Sequence, residues 1–166
     1  MGKKLRNNID IENNVPFFLK LWGTVFGVGY VPIAPATAVS LGLCFLIWFL
    51  PESLLPYLIV LLVLFPFGVW ISSRLEDYWG IDDRKIVIDE CIGIIITLLA
   101  IPHRIIFFLL GFLFFRFFDI VKPPPIKISQ NLRKGWGVVM DDVIAGMYSS
   151  VLLWIFIFVY RAFSSL

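Results

Sequence analysis

The stretch Asp89–Asp119, DECIGIIITLLAIPHRIIFFLLGFLFFRFFD, decides the fold. Two apolar arms flank a Pro102-His103-Arg104 turn, and the carboxylates and Arg116 fall at the far ends of those arms. Proline cannot continue a helix and marks a turn, so the arms read as an antiparallel helical hairpin. Glu90 precedes His103 by 13 residues and Arg116 follows it by 13. At about 1.5 Å of rise per residue, both lie about 20 Å from the turn, at one level. Asp89, Glu90, Arg116 and Asp119 therefore converge. Arg116 and Asp119 are three apart and share a helix face.

The rest of the chain has the same character. Of 166 residues, 60% are hydrophobic and 16% charged, with a mean hydropathy of +0.91. A soluble domain is nearer half apolar and one-quarter charged, so an ordinary cytosolic enzyme, a disordered chain and a solvated coiled coil are excluded. The net charge of +2 is too weak for a nucleic-acid partner. Stretches free of Asp, Glu, Lys and Arg, broken at Pro51-Glu52-Ser53 and at the Pro102 turn, predict membrane helices over 37–50, 54–74, 85–101, 104–120 and 142–160. The expected fold is all-α, a polytopic membrane bundle of about five helices in a single domain, 1–166. Residues 1–22 read as a cytoplasmic N-terminal segment. Gly23–Thr37, rich in Gly and Pro, reads as a loop or re-entrant segment.

Short-looped helices alternate in direction. With the N-terminus on one side, that side carries Lys3, Lys4, Arg6, Lys20, Arg74, Arg84, Lys85, Arg116, Lys122, Lys127, Arg133 and Lys134, against Arg104 and Arg161 on the other. The positive-inside rule puts the first side in the cytoplasm. A reducing cytosol also suits two unpaired cysteines, Cys44 and Cys91.

Helix five enters from that side with Asp141 and Asp142 at its start. Capping would explain one of them; together they bring the carboxylates near the cytoplasmic interface to five. Arg116 neutralises one at most, and like charges so close call for cations among them. An oxygen-rich site suits Mg²⁺ or Mn²⁺; a set of interhelical ion pairs is the structural alternative. His103, the only histidine, falls at the opposite face, which excludes histidine phosphoenzyme chemistry. Thr97 stands where a cysteine-phosphatase loop needs Arg, so Cys91 is a packing residue. Neither a Walker motif nor a G-x-S-x-G elbow is present. Metal-assisted chemistry, or none, remains. The glycines at 27 and 29 let backbone approach a ligand, and N–H groups of that loop are candidates to cradle a phosphate before a helix N-terminus. Lys127, Arg133 and Lys134 suit anionic lipid heads or a phosphate.

Four segments together resemble the phosphatidylglycerophosphatase A family: Gly27-Val28-Gly29 through Pro32, Pro35 and Thr37; Asp82 with Ile86-Val87-Ile88-Asp89-Glu90 and Gly93; Phe115-Arg116-Phe117-Phe118-Asp119 with Lys122-Pro123 and Pro125-Ile126; and Gly135-Trp136-Gly137 with Asp141-Asp142, Ala145 and Gly146. The chain departs from the family pattern at Ala36, Val39 and Lys134, where glycine is usual. A positive φ at Ala36 would cost roughly 1 kcal/mol.

The resemblance implies a Mg²⁺-dependent lipid phosphatase (Mn²⁺ being a possible substitute) that hydrolyses phosphatidylglycerophosphate to phosphatidylglycerol and phosphate at the bacterial cytoplasmic membrane. Asp89, Glu90, Asp119, Asp141 and Asp142 would hold the metal, with Asp89, Glu90, Asp119 and Asp142 the catalytic candidates. Arg116, Lys122 and Thr37 would contact the phosphate, with Gly27, Gly29 and Pro35 shaping the loop. The expected partners are the phospholipid substrate in the bilayer and anionic lipids. The rival readings are a divalent-cation transporter or channel, disfavoured because the acids cluster at one face, and a non-catalytic membrane scaffold.

Overall fold

Apolar runs become helices here, and Pro and Gly set their ends. The computed structural model describes residues 14–164, and among these the chain is all-helical. The elements are α1 (Phe17–Gly23), a 3-10 turn (Val28–Tyr30), α2 (Pro35–Ile47), α3 (Leu54–Trp79), α4 (Ile88–Thr97), α5 (Ile105–Val121), α6 (Ile126–Ser129) and α7 (Gly135–Ser164). Pro35 opens α2 at its first helical position, where its missing N–H has no partner to lose. Gly80, at φ 95°, stops α3. Lys3, Lys4 and Arg6 lie outside the described residues.

All five expected helices are present, with shifted ends. α3 runs on to Trp79 and α7 begins at Gly135, because Arg74, Glu76, Asp77, Asp141 and Asp142 stay helical where a charge-free criterion cuts the run. The alternative that Asp141 merely caps the helix is therefore excluded: it lies in the second turn of α7. α4 has only 10 residues, so the expected span 85–101 is reduced to its middle. Two short helices were not legible, α1 in the expected N-terminal segment and α6 in the Pro-rich loop.

α3 and α7 are long and apolar enough to cross a membrane, at 26 and 30 residues with hydropathies of 2.5 and 2.1. α2, α4 and α5 have 13, 10 and 17 residues, short of the roughly 20 that a full span takes. Two helices rather than five thus meet the length of a span. Much of the apolar surface faces outward: Leu62 is 77% and Phe158 76% exposed. An apolar exterior on this scale marks a membrane-associated protein.

The centre is α4, whose residues are buried except Ile96. Two glycines let α7 close on it. A Cβ on Gly93 would meet the Phe115 ring at 2.4 Å and the Asp142 carbonyl at 3.0 Å, and one on Gly146 would meet the Gly93 carbonyl at 2.5 Å. Small residues at helix crossings permit this backbone approach. Farther along, a Cβ on Gly111 of α5 would meet Leu98 at 2.7 Å and Leu153 at 3.1 Å. α4 and α7 therefore run parallel and α5 antiparallel to both. Asp89 lies one turn before Gly93 and Asp142 one turn before Gly146, so the crossing sets both carboxylates at one level.

Candidate active site

The hairpin brings together the residues its spacing predicts. Arg116 Nη1 donates to Glu90 Oε1 and Oε2, each at 2.8 Å, and lies 3.1 Å from Asp119 Oδ2. Ser40 of α2 donates to Glu90 Oε2 at 3.2 Å. Arg116 thus bridges two carboxylates with one charge. Lys122, at the end of α5, donates to Asp141 Oδ2 at 2.6 Å and lies 3.8 Å from Asp119 Oδ1. Burial works against the Lys122 charge, but the Asp141 hydrogen bond and the charges of Asp141, Asp119 and Asp142 outweigh it and hold the ammonium above the ordinary lysine range. Gln130 donates to the same Asp141 oxygen at 2.9 Å. Asp141 Oδ1 accepts from the Asp142 backbone N–H at 3.1 Å.

Two carboxylates differ from the rest. Asp89 Oδ1 and Asp142 Oδ2 are buried without a hydrogen-bond partner among the described residues, and the residues are 8% and 3% exposed. A buried polar oxygen without a partner costs about 1–3 kcal/mol, more if charged. Asp89, Glu90, Asp119 and Asp141 are acidic neighbours of Asp142, and Arg116 and Lys122 lie within electrostatic reach of it. Five carboxylates share this site with two cations, Arg116 and Lys122. No group of three or more His, Cys, Asp or Glu among the described residues is arranged as a ready-made metal site. The residues still fit a hard divalent ion of the Mg²⁺ type, which keeps several waters and is usually held by one or two carboxylates plus substrate phosphate. Asp89 and Asp142 offer the free oxygens.

The Gly-rich segment differs from expectation. The Gly27 N–H bonds Thr24 Oγ1 at 3.0 Å and the Gly29 N–H bonds the Thr24 carbonyl at 2.8 Å. Both donors are consumed within the loop, where Gly27 supplies a positive φ of 90° and Gly29 a close backbone approach, so neither N–H is free to cradle a phosphate. A Cβ on Gly29 would stand 2.1 Å from the Lys85 carbonyl, which locks the loop against the approach to α4. Positive φ falls on Ala34 (50°), while Ala36 is helical and unstrained. Thr37 is half-buried in the first turn of α2, three residues before Ser40 on the same face.

Ser40 and Gln130 are contacts that the sequence did not reveal. A lone Ser in an apolar helix and a lone Gln in a loop carry no periodic signal. His103 lies away from the site: its backbone N–H donates to Glu52 at 2.8 Å, and its ring stacks on Trp48 with centroids 5.6 Å apart. Cys91 is buried within an apolar cluster, as a packing residue should be.

Comparison with known proteins points the same way. The family model described as Phosphatidylglycerophosphatase A matches residues 21–157. A Bacteroides thetaiotaomicron protein named "Putative phosphatidylinositol-3-phosphatase" is 43% identical over 83% of this chain and 93% of its own length. Proteins named phosphatidylglycerophosphatase A are similar too: that of Escherichia coli is 36% identical, covering 78% of this chain and 77% of its own, and that of Haemophilus influenzae 37% identical, covering 77% and 82%. No solved structure matches. The matched span runs from the end of α1 through most of α7 and takes in every carboxylate of the buried cluster; the chain belongs to the phosphatidylglycerophosphatase A family, a family of phosphoric monoester hydrolases.

Proposed function

We propose that this protein removes the terminal phosphate of phosphatidylglycerophosphate, releasing phosphatidylglycerol and inorganic phosphate at the cytoplasmic face of a bacterial inner membrane. The observation that carries the reading is the pair of buried, unpartnered oxygens, Asp89 Oδ1 and Asp142 Oδ2, in one acidic cluster, with Asp142 within electrostatic reach of Arg116. The geometry sorts the five carboxylates. Glu90, occupied by Arg116 and Ser40, holds the guanidinium in place. Asp141, occupied by Lys122 and Gln130, anchors the end of α5. Asp119 faces both cations.

Asp89 and Asp142 remain to hold Mg²⁺, with Mn²⁺ as a substitute. When bound, such an ion polarises phosphoryl oxygens and lowers the pKa of bound water. One of the two aspartates takes the proton of the attacking water. All three Arg116 contacts run through Nη1, so Nε and Nη2 remain to bind two phosphate oxygens. Lys122 and Thr37 complete the phosphate contacts. In wild-type protein, purified phosphatidylglycerophosphate in mixed micelles releases inorganic phosphate; silence on this lipid would overturn the reading. The name of the Bacteroides relative favours a second substrate, phosphatidylinositol 3-phosphate, and the assay runs both lipids side by side.

The reading includes five helices in the bilayer, with α3 and α7 as full spans and α2, α4 and α5 entering part-way or spanning with their flanking turns. Single cysteines placed at 52 and 130 in a chain lacking Cys44 and Cys91 label from opposite sides of the membrane, with position 130 cytoplasmic. Labelling from one side ends this topology.

Arg116→Lys lowers kcat/KM by about tenfold or more, because an ammonium cannot keep Glu90 and Asp119 while presenting two donors to phosphate. His103→Ala stays within about twofold of wild type, since the helix rise sets it about 20 Å from the carboxylates.

A further inference from the structure

Beside the acidic cluster lies a second polar space that the hydrolytic chemistry does not use. A cleft of about 520 Å³ opens between the end of α3, the turn at Asp82, the 130–134 loop and the first turn of α7. That volume lies in the range of small-ligand pockets, about 300–1,000 Å³. Glu76, Asp82, Gln130, Asn131, Arg133 and Lys134 line it. The set offers carboxylate acceptors, amides that both donate and accept, and cations toward the outside.

The cleft is built rather than incidental. A Cβ on Gly137 would stand 2.7 Å from the Gln130 carbonyl and 2.9 Å from that of Leu132, so the loop is pressed directly onto α7. Asp82 and Lys134, non-glycine residues at φ 54° and 55°, turn its two walls; strain of this kind gathers at functional sites. Glu76 Oε1 is buried without a hydrogen-bond partner. The cleft also joins the acidic site. Gln130 lines the one and bonds Asp141 of the other at 2.9 Å, and Asp82 acts electrostatically on both Asp89 and Asp141.

We propose that this cleft binds the hydroxyl-bearing polyol of the lipid headgroup while its terminal phosphate occupies the acidic site. The inference rests on the phosphatase reading and assigns the origin of its substrate preference. Hydroxyl groups donate and accept at once. The Glu76 carboxylate and the Asn131 amide that line the cleft match such a group, whereas a bare phosphomonoester on diacylglycerol brings no hydroxyl to them. A substrate lacking the matching hydroxyl forgoes these contacts, which is how a site built to hydrogen-bond a hydroxyl discriminates.

The test compares phosphatidylglycerophosphate with phosphatidic acid, whose phosphate carries no polyol, in wild type, Glu76→Gln and Asn131→Ala. Wild type prefers phosphatidylglycerophosphate. The ratio of kcat/KM between the two lipids falls by about tenfold in Glu76→Gln, the effect of one hydrogen bond to a charged group, and by about fivefold in Asn131→Ala, the effect of a neutral one, with the loss in KM for phosphatidylglycerophosphate. A wild type without preference, a ratio unchanged in both variants, or equal losses on both lipids overturns the inference while leaving the phosphatase reading intact. A wild type that releases phosphate from neither lipid overturns that reading, and this inference falls with it.

Discussion

Asp89→Asn and Asp142→Asn each lower kcat on phosphatidylglycerophosphate by about 10²-fold or more, the scale of losing one electrostatic group from an active site. Each substitution keeps the shape of the side chain and removes a charge and a strong oxygen ligand. The two are chosen because their free oxygens make them the carboxylates whose bonding is not already satisfied by the protein. Folding does not explain such a loss. Both carboxylates are buried among like charges, so neutralising either relieves repulsion and desolvation. The variants should accumulate in the membrane at wild-type levels or above while their activity collapses. Phosphate release at matched expression is the measurement, and either variant within about threefold of wild type would remove that residue from the chemistry. Glu90→Gln tests the contrast: it frees Arg116 and Ser40 together, so its loss should be accompanied by lower stability.

How much of this was legible depends on which force sets each feature. The level of Glu90 and Arg116 follows from helix rise and the position of one turn, and spacing is visible in sequence. The depth of Asp141 and Asp142 in α7 was misjudged because an apolar-run criterion treats charge as an end, whereas a helix needs only its backbone bonds and tolerates a buried carboxylate that has partners. The length of α4 was overestimated for the opposite reason. The apolar residues after Thr97 continue the hydrophobic signal, but Ala100 takes φ 53° and the helix stops. The glycines at 27 and 29 suggested a phosphate cradle because sequence shows that backbone can approach something, not what it approaches. In the fold it approaches Thr24 and the Lys85 carbonyl. Gly93 and Gly146 carry the opposite lesson. They stood within the family resemblance with no stated role, and the fold shows that their close crossing sets Asp89 and Asp142 level.

Chelation is expected to abolish the activity and Mg²⁺ to restore it. The charges near the site motivate this outcome. Among the described residues, Asp89, Glu90, Asp119, Asp141 and Asp142 share two cations, Arg116 and Lys122, and both are already engaged with carboxylates. A phosphomonoester entering here brings further negative charge. Two unit charges 4 Å apart interact by about 4 kcal/mol at an effective dielectric of 20, which is about 10³-fold in rate for each uncompensated contact. Arg116 and Lys122 can reach the phosphate with their remaining donors, but their two charges are already shared among the carboxylates. A divalent cation held by Asp89 and Asp142 would neutralise both and would supply the attraction that the two cations leave short. Purified protein treated with EDTA should therefore lose phosphate release by at least that factor, recover it with millimolar Mg²⁺, and recover it with Mn²⁺, which accepts the same oxygen ligands. A readout independent of turnover accompanies it: Mg²⁺ should raise the thermal midpoint of the wild type by occupying the folded state, and raise it less in Asp89→Asn and Asp142→Asn. Full activity in excess chelator would show that the unpartnered carboxylates have another purpose, and would return them to the role of costly buried charges with no ion to justify them.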